Sequence, residues 1–131
     1  MSFDWCEYLT LAKELGGRSD EAASSEARLR SAVSRAYFAA YCSARNYLCD
    51  ADGYQPPVTW EAQKQVIETL KGSAHSKQRV WIGEKLVRLK NRRNTADYDD
   101  KVPGIVNMSQ YSLRVSGEVI ALVDTLRKSS P

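Results

Sequence analysis

Apolar residues in this chain return every three or four positions, the spacing that lines one face of a helix. Trp5, Tyr8, Leu9, Ala12 and Leu15 share one such face, and Gly16-Gly17 stops the helix they define. A second helix is predicted to open near Ser19 or Asp20, either of which can cap it, with Glu21 favourable in the first turn. It meets no glycine or proline before Gly53. Leu29, Val33, Tyr37, Ala40, Ala44 and Leu48 form its main stripe, while Ser31, Arg35, Ala39, Cys42 and Asn46 make a far side that is small or weakly polar. A helix so nearly apolar all round belongs at the centre of its fold, and Arg35 then needs a partner or a water-filled cleft.

Residues 51–58 carry the main loop signal, because neither Pro56 nor Pro57 continues a helix. Thr59 can cap a third helix reaching about Leu70, and Gly72 ends it. A fourth is predicted from about Ser76, with Ile82, Leu86 and Leu89 inward, and Pro103-Gly104 breaks the chain again. The fifth runs from about Met108 to Arg127 and turns Tyr111, Val115, Val119, Leu122 and Leu126 inward, with Ser129 to Pro131 fraying. No sustained alternation of period two and no repeat or interdomain linker interrupts this pattern. The chain therefore predicts an all-α fold, an antiparallel bundle of four to five helices in one domain over residues 1–131.

A chain of 131 residues with 43% hydrophobic and 27% charged positions can bury a core without metal or disulfide support. No apolar run approaches the ~20 residues that span a bilayer, and the N-terminus MSFDWCEY lacks a secretory pattern, so a cytoplasmic protein with no membrane partner is expected. Cys6, Cys42 and Cys49 are odd in number and form no CxxC pair, and with a single histidine they read as packing residues, with no metal or cofactor expected. A net charge of +3 says little by itself. Its distribution says more: five of the nine residues from Lys85 to Arg93 are basic, and Asp97, Asp99 and Asp100 follow. Such a patch can supply phosphate affinity through Arg88, Lys90 and Arg92, with Asn94 beside them.

Two segments resemble a known family. Residues 30–48, RSAVSRAYFAAYCSARNYL, resemble the central helix of a small prokaryotic group of the HEPN superfamily (higher eukaryotes and prokaryotes nucleotide-binding), and residues 92–100, RRNTADYDD, are similar to that group's Arg-Asn-x-Ala-Asp-Tyr stretch. The resemblance implies a helical bundle, often a homodimer, with a cleft built from polar motifs on facing helices. Active members cleave RNA without metal, using an Arg followed four to six residues later by His. Others partner a nucleotidyltransferase or another protein in toxin–antitoxin or defence systems, or bind without catalysis. In this chain Arg93 and Asn94 match the start of the motif, but Asp97 and Tyr98 occupy the region where the His is sought, and no His follows His75. The resemblance thus points to a cleft of Arg35, Arg93, Asp97 and Tyr98, and leaves open an RNA-cleaving toxin component, a noncatalytic interaction module and a simple nucleotide-binding domain.

Cleavage of RNA requires a base for the 2′-hydroxyl, an acid for the leaving oxygen and a cation for the phosphorane. Arg35 or Arg93 can supply the cation, while carboxylate and phenol titrate far from neutrality, at ~3.9 and ~10. Structural readings compete: Arg93 and Asp97 stand four apart, as an ion pair on a continuing helix does. The acids suit a helix C-terminus poorly, so either the helix has ended or Asp97 is held from elsewhere, with Arg35 the obvious candidate. His75 lies at the far end of the fourth helix, too distant to share a centre with Arg93 in one protomer. Of the aromatic residues able to stack a base, Trp5, Tyr37, Tyr41 and Tyr47 read as core, whereas Trp60 and Trp81 lie outside the clearest stripes and suit an interface.

Overall fold

Five helices make up the computed structural model, which describes residues 3–17 and 22–129: α1 (Cys6–Gly17), α2 (Ala22–Asp52), α3 (Ala62–Lys71), α4 (Lys77–Tyr98) and α5 (Ile105–Ser129). No strand occurs among the described residues. The expected caps Ser19 and Asp20 of α2 lie outside them. Where the ends are described, local chemistry accounts for most of them. Asp4 accepts a hydrogen bond from the Cys6 N–H at the start of α1. Gly53 leaves α2 at φ 66° and Gly104 precedes α5 at φ 72°, backbone positions where a side chain is strained. Ser76, near which the fourth helix is predicted to begin, caps α4, accepting from the Arg79 N–H at 3.2 Å. Thr59 misses the α3 cap by two residues. Its Oγ1 accepts from the Glu61 N–H, and the cap position falls to Glu61, which makes no side-chain bond there.

α2 is central, as its pattern requires. Val33, Tyr37, Ala40, Ala44 and Leu48 of one side and Ala39 and Cys42 of the other are all buried. α1 packs antiparallel to it, with Ala12 against Ala32 and Ala36 and with Leu9 against Ala39. α4 is antiparallel to α2 as well, since Arg30 meets the end of α4 at Ala96 while Asp52 meets its start at Arg79. α5 runs parallel to α2: Ser116 Oγ donates to the Ala36 carbonyl at 2.7 Å, and Arg127 pairs with Asp50 further along both helices. The pairs α1–α2, α3–α4 and α4–α5 keep the expected antiparallel sense, and the long segment 53–61 lets α3 start back near Tyr37.

Close approach needs small residues, and the chain supplies them. Ser109, Ser112 and Ser116 are buried on α5 together with Ala32, Ala36 and Ala39 on α2. The apolar stripe drawn for α5 from sequence does not contain those serines; of its members Val115 and Val119 are buried, while Tyr111, Leu122 and Leu126 are half-buried. Between α2, α3 and α4 the core is bulkier, with Leu48, Leu70, Ile82, Leu86 and Leu89 fully buried. Each such side chain contributes about 1.5–3 kcal/mol relative to exposure. Cys6, Cys42 and Cys49 are free thiols, and burial pushes the Cys42 thiol upward.

Candidate functional site

The stretch RRNTADY stays helical to its last residue, so a period of 3.6 distributes its side chains around α4. Arg93 and Asp97 face α2. Arg93 Nε lies 2.9 Å from Asp97 Oδ2, an ion contact in which the N–H is not aimed well enough to count as a hydrogen bond. Arg93 Nη1 donates to Asn94 Oδ1 at 3.1 Å. The same guanidinium sits 5.2 Å from the ring centre of Phe38 on α2 and 5.7 Å from that of Tyr98. Ser34 Oγ, also from α2, donates to Asp97 Oδ2 at 3.3 Å. Arg30, one turn earlier, donates to the carbonyls of Ala96, Asp99 and Asp100 at 3.0, 2.6 and 3.1 Å.

The acids thereby find their explanation. A guanidinium placed on the Ala96 carbonyl of α4 and on the Asp99 and Asp100 carbonyls just past its end satisfies orphan acceptors and offsets the negative end of the helix dipole, where Asp99 and Asp100 would otherwise be disfavoured. The helix has not ended before Asp97, and the residue of α2 that reaches it is Ser34 rather than Arg35. One step along a helix turns the side chain by about 100°. That rotation carries Arg35 to α1, where its guanidinium lies 5.7 Å from the Tyr8 ring centre and its buried Nε has no acceptor among the described residues. Of the four predicted cleft residues, the fold brings Arg93, Asp97 and Tyr98 together and directs Arg35 elsewhere. Arg30, Ser34 and Phe38 were not singled out. Their spacing of four on α2 was the available signal.

The basic stretch divides in the same way. Arg92 stacks at 3.8 Å over Tyr111 of α5 and donates to the Arg88 carbonyl, while Arg88 itself is exposed. Lys90 and Asn94 turn to the opposite flank and line a groove of about 350 Å³ between α3 and α4. His75 sits before α4, eighteen residues from Arg93, or roughly 27 Å along a straight helix. Trp5 and Tyr41 pack in or against the core, where burial pushes the Tyr41 hydroxyl up to about 12. Tyr37, also raised by burial, donates to Gln63 Oε1 at 2.6 Å and ties the start of α3 to the middle of α2. Trp60, by contrast, is 86% exposed.

Chemically, the assembled site is a positioned cation with a carboxylate behind it and aromatic faces beside it, suited to a phosphate. Asp97 is already engaged by Arg93 and Ser34, so it acts first as the group that orients the guanidinium. Among the described residues no three His, Cys, Asp or Glu side chains gather in a metal-binding cluster, and no helix is long and apolar enough to cross a membrane. No protein-family model, no curated protein and no solved structure matches the chain.

Proposed function

We propose that this chain is an RNA-directed domain of the HEPN type, in which Arg93 receives a phosphate at the C-terminal end of α4. One observation carries this reading. The two segments that resemble the family are 43 residues apart in sequence, from Leu48 to Arg92 exclusive, yet they meet face to face through Ser34–Asp97, Phe38–Arg93 and Arg30–Ala96. Polar motifs on facing helices are what such a cleft requires. A prokaryotic toxin–antitoxin or defence role belongs to the same proposal, with metal-independent RNA cleavage as its catalytic form.

A second reading is favoured by the engagement of Asp97, which leaves the site without an evident free base. In that reading the domain is noncatalytic and binds a nucleotidyltransferase or another protein of the same system. The deciding experiment incubates wild type and Arg93→Ala with labelled RNA and follows both binding and cleavage. For a catalytic cation, Arg93→Ala is expected to lose about a hundredfold or more in cleavage rate. Its melting temperature should fall only modestly, because the pair it breaks is an i,i+4 contact within one helix whose two side chains stay 21% and 27% exposed. Wild-type protein that neither binds nor cleaves RNA would overturn the RNA-directed reading in favour of the protein-binding module.

A further inference from the structure

Gly83 fixes how α3 and α4 lie together. A Cβ built there would stand 2.6 Å from Lys71 Cγ and 3.1 Å from Lys71 N, so the helices touch at that level. The antiparallel register that follows sets Lys64 opposite Lys90 and Asn91. The groove between them has Ile67 and Val87 in its lining and is rimmed by Lys64, Lys71, Lys90 and two asparagines. Glu68 is the single acid in that lining. No lysine of the groove is ion-paired among the described residues, so no acid among them neutralises its surplus positive charge by direct pairing. The segment Pro56-Pro57-Val58-Thr59-Trp60 leads into the N-terminal end of α3, and there the Trp60 indole is 86% exposed.

We infer that the α3–α4 groove binds the backbone of a single-stranded nucleic acid, with a base stacked on Trp60. The inference rests on the RNA-directed reading and adds to it a strand form and a track leading away from Arg93. Lys64 and Lys71 lie seven residues apart on α3, about 10 Å along the axis, and Lys90 faces them. This is the charge of a phosphate track over a short stretch of strand. Asn91 and Asn94 add amide donors and acceptors at the same rim. A single strand offers free base faces to an exposed ring, whereas a duplex keeps its bases paired and stacked. An acidic polypeptide would match the lysines but would leave Trp60 without a planar partner.

The test is fluorescence anisotropy with a labelled oligouridylate and a blunt RNA duplex of equal length, over a range of salt concentrations. Wild type, Lys64→Gln with Lys71→Gln, Trp60→Ala and Arg93→Ala are compared, with circular dichroism confirming that each is folded. The single strand should bind more tightly than the duplex. The double lysine variant should flatten the dependence of log affinity on log salt by about 1.4, since two lost phosphate contacts remove about 0.7 each. Trp60→Ala should weaken binding roughly five- to hundredfold, the loss of one stacked base. The inference is overturned if the lysine and Trp60 variants bind as wild type does, if the duplex binds equally well, or if polyglutamate of matched charge competes as effectively. Weakening by Arg93→Ala alone would sink the groove and leave the RNA-directed reading standing. Weakening by the groove variants alone would do the reverse for Arg93.

Discussion

Arginine does three different jobs in this molecule, and the surroundings of each decide which. Arg30 satisfies backbone carbonyls, Arg93 pairs with Asp97 beside the Phe38 and Tyr98 rings, and Arg79 is a strut. Arg79 Nη1 and Nη2 donate to the two oxygens of Asp52 at 2.7 and 2.8 Å, and its Nε and Nη2 reach the Tyr47 hydroxyl at 3.3 and 3.2 Å. Those hydrogen bonds from Arg79 hold the Asp52 carboxyl below its ordinary range, against the opposing effect of partial burial and with the charge of His75 assisting. A carboxylate depressed in the folded state stabilises above its unfolded pKa of about 3.9 and loses that contribution as pH falls through the folded value. Asp52 is 38% exposed, so screening keeps the effect below about 1 kcal/mol. Asp52→Asn should therefore lower the urea midpoint slightly near pH 6 and reduce the further loss on going to about pH 3. An acid limb identical in the variant and the wild type would assign the acid sensitivity to other carboxylates.

At the scale of elements, α3 is short and is held by little more than Val66, Ile67, Leu70 and the Tyr37–Gln63 hydrogen bond. Its distance from α4 depends on Gly83. An alanine there would gain helix propensity of about 1 kcal/mol. It would also push against Lys71 N at 3.1 Å and Leu70 Cβ at 3.2 Å, backbone and buried atoms that yield poorly. Overpacking of this kind costs about 1–3 kcal/mol. Gly83→Ala is expected to be destabilising overall by about 1 kcal/mol, read as a lower urea midpoint with unchanged slope. A variant more stable than wild type would mean that α3 moves freely on α4, and the groove register drawn from that contact would go with it. Sequence showed that α3 and α4 exist and where Ser76 begins the latter. It held no signal that Lys64 and Lys71 stand beside Lys90, because contact across a turn depends on helix phase and not on spacing.

For the whole molecule, assembly is the open quantity that a direct measurement resolves. The two apolar sides of α2 ask for no second copy, since α1, α4 and α5 cover both within one chain. Dimerisation now rests on the family resemblance alone, as part of the proposed function. It predicts a mass of twice 14.7 kDa by light scattering at high micromolar concentration. A monomer throughout that range would remove the homodimer from the proposal and leave the cleft within one protomer unaffected. What the sequence determined by itself was the all-α class, most helix limits and the central place of α2. These follow from periodicity, prolines, glycines and caps, which act within a few residues of themselves. It also set Arg93 and Asp97 four apart, neighbours on a helix that continues, as α4 does, while Tyr98 joined them only through the family resemblance. Only the tertiary structure decided that Ser34 reaches Asp97 while Arg35 turns to Tyr8, that Arg92 and Lys90 part to opposite flanks of α4, and that Lys64 and Lys71 line one groove with Lys90. Each of those outcomes depends on the rotation of one helix against another, which is set by packing of the buried faces.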